Sequence, residues 1–228
     1  MKTVTFLLYD GFSNMVLACL LEPLRAVRDQ RQSDLKWHIV TPHDSAAKSS
    51  SGLSIAPDIT IAEIGRTDLL IVVSGYGYRE HSRPDGLAPL RRLARLAGSI
   101  VAADTGSWLL AAAGFLDNLS ATIHWAVISD FTEEFPNVHT SYSRFVKEPR
   151  ISTCGGASTA MELMLALISE HFGDANAFIA STLFLHDAER QQMSGRGANR
   201  LEGKGTAQLR QIINLMVETI ETPLRHYP

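Results

Sequence analysis

Cysteine is scarce in this chain of 228 residues: Cys19 and Cys154 are its only two. They are too few and too widely separated for a disulfide framework or a zinc site, so no metal is expected. Positive charge is not in excess either. With 21 Lys and Arg against 24 Asp and Glu the net charge is −3, which gives no electrostatic drive for direct contact with nucleic acid. No apolar run approaches the length of a membrane span. The opening MKTVTFLLYDGF begins like a signal peptide, but its apolar run is short, ends in Tyr9-Asp10-Gly11 and lacks a small-residue cleavage pattern. It reads as a first β-strand, and the chain is expected to be cytoplasmic, with no membrane partner. Internal repeats are also lacking.

What is present is ordinary for a globular protein: 45% hydrophobic and 20% charged residues, in a length that admits one large α/β domain or two small ones. Short β-branched runs alternate with helical patterns. Thr3 to Tyr9 is apolar nearly throughout, and Asn14 to Arg28 carries Val16, Leu17, Leu20, Leu21, Leu24 and Val27 at helical spacing. Strands are expected at Lys36 to Thr41, Asp68 to Val73, Ser99 to Ala103 and Ile151 to Thr153, with a hairpin or loop with short strands between Ser49 and Ile61. Helices are expected near Gly86 to Leu96, after Ser107, within Ala121 to Glu133 (behind a strand-like beginning), and at Ser158 to Phe172 and Asp174 to Asp187. This alternation predicts a mostly parallel sheet covered by helices on both faces, a three-layer α/β/α sandwich. Residues 189–205 are polar and glycine-rich and read as a mobile surface segment closing a domain of residues 1–188. Helical periodicity returns over 206–221, where Leu209, Ile212, Ile213, Met216, Val217 and Ile220 recur.

An open parallel sheet binds ligands outside the carboxyl ends of its strands. That rule singles out the loops at Asp10 to Asn14, Gly75 to Tyr78, Asp104 to Trp108 and Cys154 to Gly156. The stretch AADTGSW joins a strand to a helix by a sharp turn, the device that lifts a nucleophile above the sheet in many α/β enzymes, and the lifted residue is Asp104. Asp104 or Thr105 also suits the N-cap of the following helix. Glu22, inside an apolar helical stripe, fits either the edge of the core or a side chain turned into a site. Cys154 precedes Gly-Gly and a helix N-terminus, a setting that lowers a thiol's pKa. His124 is the nearest candidate partner for Asp104. The aromatics Phe12, Tyr76, Tyr78, Trp108 and Trp125 accompany these acids, a combination suited to a cationic ligand, although Trp108 on an apolar helix also fits the core.

Several of these stretches together resemble a known family. The run Gly106-Ser107-Trp108-Leu109-Leu110-Ala111-Ala112-Ala113-Gly114-Phe115-Leu116-Asp117, followed by Ala121-Thr122-Ile123-His124-Trp125, is similar to the amidase-like domain of the PfpI/glutamine-amidotransferase superfamily, in the version that forms the sensor half of AraC-family transcription regulators. The opening strand with Asp10-Gly11-Phe12, the tetrapeptide Glu22-Pro23-Leu24-Arg25, and Thr153-Cys154-Gly155-Gly156 leading into Met161-Glu162-Leu163-Met164-Leu165 agree with it. The resemblance implies a flavodoxin-like, class I glutamine amidotransferase-like fold. It also implies a non-enzymatic domain that binds a small amine such as arginine, betaine or carnitine, needs no cofactor and forms a homodimer. Residues 206–228 then look like the connector to a C-terminal helix-turn-helix domain outside this chain, through which DNA would be bound. Carried over by position, Glu22, Asp104 and His124 fall where enzymes of the superfamily keep an acid, the elbow nucleophile and a nearby histidine. Asp104 departs from the enzymes' cysteine, and beside Glu22 it would place two carboxylates together, sharing a proton or awaiting a cation. The expected ligand site comprises Glu22, Gly75, Tyr76, Asp104, Thr105, His124, Trp125 and Cys154, with no catalytic residue. The alternative is a hydratase or hydrolase of the superfamily that uses Asp104 or Cys154.

Overall fold

The apolar run Thr3–Leu8 forms β1, buried from Val4 onward, as a strand covered on both faces must be. In the computed structural model, which describes residues 1–31 and 34–184, this strand lies inside a six-stranded sheet. Its other strands are β2 Lys36–Val40, β5 Thr67–Ser74, β6 Ala97–Asp104, β9 Phe145–Lys147 and β10 Ile151–Cys154. Their order across the sheet is β2-β1-β5-β6-β10-β9, and all neighbouring pairs are parallel except β9 against β10. Taken in chain order, the parallel strands lie second, first, third, fourth, fifth, which is the flavodoxin-like doubly wound arrangement. Two small ladders stand outside the sheet: the hairpin β3 Ala47–Lys48 with β4 Ser54–Ile55, and β7 Ser120–Ala121 paired in parallel with β8 His139–Thr140.

The helices are α1 Asn14–Arg31, α2 Tyr78–His81, α3 Pro84–Leu96, α4 Gly106–Ala112, α5 Ile128–Glu134, α6 Ala157–Phe172 and α7 Asp174–Phe184. Helix α1 packs against α6 on one face of the sheet. On the other face, Leu87, Leu90 and Leu93 of α3, Trp108, Leu109 and Leu110 of α4, and Phe131 of α5 close over Leu7, Leu70, Val72, Ile100 and Ala102. Alternation along the strands sends Leu69, Ile71, Val73, Val101 and Ala103, also buried, into the opposite layer. The expected three-layer sandwich is therefore the observed one.

The boundaries differ from expectation for identifiable reasons. Helix α1 runs past Arg28 along a charged end where Arg25 and Asp29 form an i,i+4 ion pair and no apolar period marks the boundary. Helix α3 starts at Pro84 rather than near Gly86, since proline's fixed φ suits the first helical position. Edge strand β9 has no counterpart among the expected strands, because its three residues sit within a polar stretch and carry no readable period. By contact, the chain divides into the units Met1–Ser181 and Thr182–Pro228, and the sheet with the helices that cover it belongs to the first. The expected polar segment 189–205, the connector 206–228 and the end of the helix expected at Asp174 to Asp187 lie outside the described residues.

Candidate functional site

Strand β6 ends at Asp104, whose backbone takes the left-handed conformation at φ 62°. Among the described residues only Asp44 and Asn118 share a positive φ without being glycine. Asp and Asn tolerate this region better than other side chains, so the chain places at its elbow one of the few residue types that can hold the turn. The turn is pinned on three sides. The Asp104 amide donates to the Gly155 carbonyl at 2.9 Å, the Asp104 carbonyl accepts from the His124 amide at 3.2 Å, and the Thr105 amide donates to the Ser74 carbonyl at 3.2 Å. Thr105 adds a hydroxyl bond to the Gly75 carbonyl at 2.8 Å. Helix α4 can then begin against the sheet because position 106 is glycine: a Cβ there would stand 2.7 Å from the Val72 carbonyl oxygen.

The other loops are held equally closely. A Cβ on Gly75 would fall 2.3 Å from the Gly11 carbonyl oxygen, so the loops after β1 and β5 touch backbone to backbone, and the Tyr76 amide donates to that same oxygen at 3.0 Å. Behind the elbow, the Ser107 hydroxyl donates to the Thr122 carbonyl at 2.8 Å and the Thr122 amide donates to Thr153 Oγ1 at 2.9 Å. These buried bonds carry the chain to His124. The His124 Nδ1 accepts from the Ala126 amide at 3.3 Å, which leaves the proton of the neutral ring on Nε2. The ring packs over Gly156 at the start of α6 and lies 5.5 Å from that of Trp125, centroid to centroid.

The Asp104 carboxylate is half-buried, and among the described residues no hydrogen bond to its oxygens is formed. Burial pushes its carboxyl up to about 6 against the opposing influence of His124. Tyr76 and Trp125 stand exposed in the neighbouring loops at 76% and 80% of full accessibility, whereas Trp108 and Phe12 are core. Thr105 and His124 are therefore tied to Asp104 through the backbone, Gly75 is tied to Thr105, Cys154 feels the Asp104 charge, and Tyr76 and Trp125 lie in the flanking segments.

Two expectations are corrected. The Cys154 thiol is wholly buried, and burial, with the Asp104 charge next in size, pushes its pKa up rather than down, overriding the helix N-terminus. Glu22 is not drawn into a carboxylate pair: its Oε2 accepts from Arg25 Nε at 2.6 Å on the half-exposed side of α1, and the charge that Asp104 feels is that of His124. Ser74 is a residue that sequence reasoning passes over. It pairs with Asp104 in the β5–β6 ladder, and its buried hydroxyl has no partner. A serine closing an apolar strand gives no signal of that kind. A small cleft of about 50 Å³ lies at the ends of β1 and β2, lined by Tyr9, Asp10, His43 and His81 among others, and none of the expected site residues borders it. No group of metal-ligating side chains occurs among the described residues.

Comparison with known proteins adds independent findings. The model of the DJ-1/PfpI family matches residues 2–170. The HTH-type transcriptional regulator CdhR of Pseudomonas aeruginosa is 33% identical over 96% of this chain and 66% of its own length. The HTH-type transcriptional regulator GbdR of the same species is 30% identical over 98% of this chain and 62% of its own. The chain thus spans roughly two thirds of the length of these relatives. The crystal structure of an AraC family transcriptional regulator from Pseudomonas putida superposes with a TM-score of 0.71 over 81% of this chain and all of that one, at 23% identity, a likeness of fold.

Proposed function

Because the chain belongs to the DJ-1/PfpI family, and its relatives CdhR and GbdR are transcriptional regulators, we propose that it is the ligand-sensing domain of such a regulator. In this reading it binds a small cationic or zwitterionic amine at the Asp104 elbow and carries out no chemistry. The observation that carries the reading is the Asp104 carboxylate, half-buried on a left-handed turn and given no hydrogen-bond donor by the described protein. A carboxylate so placed awaits either a proton or a cation. Tyr76 and Trp125 offer exposed aromatic faces to the same ligand, and His124 Nε2–H is a donor for its anionic end.

The enzymatic alternative finds less support. In the elbow scaffold the amide after the nucleophile stabilises the developing oxyanion. Here the Thr105 amide is already bonded to Ser74, and Cys154 is inaccessible and held as the thiol. Binding would shift the population between two arrangements of the regulator, and so alter how paired helix-turn-helix domains meet DNA half-sites; a homodimer and residues 206–228 as connector belong to the same reading.

A thermal-shift screen with L-arginine, glycine betaine and carnitine tests it. One of these amines raises the Tm of the chain, and Asp104→Ala abolishes the rise while remaining folded. A rise undiminished in Asp104→Ala would move the site elsewhere.

A further inference from the structure

Arg79 lies half-exposed, yet its guanidinium, which also sits 5.6 Å from the ring of neighbouring Tyr78, is held by two other elements. Nη2 donates to Asp130 Oδ2 at 2.7 Å, and Cζ sits 4.5 Å above the Trp108 ring. Trp108 in turn meets Tyr78 at 4.8 Å and Phe135 at 5.1 Å between ring centroids. The partners come from separate elements, and each element begins just beyond one of the loops that frame Asp104. Tyr78 opens α2 immediately after Gly75-Tyr76-Gly77, Trp108 lies in the first turn of α4 beyond Asp104, and Asp130 lies in the first turn of α5 beyond His124 and Trp125. Helix α2 has four residues, too few to hold itself. Its far end is tied by His81 Nε2 to the Asp10 carbonyl at 2.9 Å, which leaves Arg79 and the stacked Tyr78 as its ties to α4 and α5.

We propose that Arg79 is a positioning residue for the Asp104 site, locking the loops around Gly75, Asp104 and His124 into one geometry through Trp108 and Asp130. This rests on the reading of Asp104 as the floor of a ligand site. An exposed ion pair contributes little by itself. A planar guanidinium that stacks on indole while it bonds a carboxylate, however, fixes both distance and orientation between elements. Lysine keeps the charge but not the fork.

Hydrogen exchange on the full chain tests the proposal, comparing the parent with Arg79→Met, Arg79→Lys and Asp130→Asn. In Arg79→Met the amides of Tyr76, Thr105 and His124 exchange on the order of ten-fold faster, while those of Leu70 and Ile71 stay within about two-fold. Arg79→Lys recovers part of the protection, Asp130→Asn loses part of it, and affinity for whichever amine stabilises the parent falls in Arg79→Met. Unchanged exchange at the three loops would overturn the proposal. So would a uniform rise across the chain, with lysine no better than methionine, or loop opening with amine affinity retained. If no amine stabilises the parent, the ligand reading fails on that result alone, and the exchange pattern still decides whether Arg79 sets the loops.

Discussion

Asp104 combines a conformation that few residues accept with a charge that its surroundings disfavour. Its folded carboxyl keeps a proton up to about 6, against an ordinary value near 3.8, so between those values the folded state binds more protons than the unfolded one. The Asp104 contribution to stability therefore falls as pH rises from about 4 to about 6 and is level above. Asp104→Asn keeps a side chain that tolerates positive φ and removes the titration. It should be more stable than the parent by about 3 kcal/mol at pH 8 and nearly equal to it at pH 4, measured by urea denaturation at each pH. If a cation binds the ionised carboxylate, affinity for L-arginine rises with pH through about 6 and then levels, losing up to about ten-fold per unit below it. Cys154 supplies a second measurement at this scale. At pH 8 a thiol-labelling reagent should modify half-buried Cys19 first and reach Cys154 only when the chain unfolds. The elbow and the candidate acid are legible in the sequence because AADTGSW is contiguous. The Glu22–Arg25 bond, a choice between partners on one helix, is not legible there, nor is the burial that governs Cys154.

Elements are the most legible level, since the central strands β1, β5 and β6 carry long apolar runs and each long helix repeats its apolar positions. The run Asp68 to Val73 and the elbow strand fall in the sheet where alternation requires, and the strand-like beginning at Ala121 falls on β7, while β8 and β9 escape because two or three residues carry no period. What sets the site is the contact between elements, and this is written in glycines that only the structure interprets. Gly75 abuts the Gly11 carbonyl so closely that Gly75→Ala must force the loops after β1 and β5 apart. We expect a loss of about 2–3 kcal/mol in chemical denaturation, as for other overpacked positions. The same substitution should raise hydrogen exchange at the Tyr76 amide, whose acceptor is that carbonyl. Gly65→Ala, with open space around its Cβ position, serves as the control and should change stability by no more than about 0.5 kcal/mol.

At the scale of the whole molecule, sensing requires that ligand binding be worth enough free energy to move an equilibrium. An amine at one hundred times its Kd stabilises the state that binds it by about 2.7 kcal/mol, and at a thousand times by about 4.1 kcal/mol. For a domain of this size each kcal/mol raises Tm by roughly 2–4 °C, so a true effector at the lower concentration should raise it by about 5–11 °C. The rise must also grow with the logarithm of amine concentration once the site is saturated; a flat or linear response marks nonspecific solvent effects instead. The same free energy limits the switch, because a ligand shifts two arrangements only by its difference in affinity for them, and about 2.7 kcal/mol corresponds to a hundred-fold change in their ratio. DNA contact lies outside that balance. With a net charge of −3 this chain has no overall electrostatic attraction to a duplex, so by itself it should not retard a DNA fragment in a gel-shift assay at physiological salt, with or without the amine. Retardation by this chain alone would place DNA-binding residues within it and would overturn the proposed division of labour in which sensing is separate from DNA recognition.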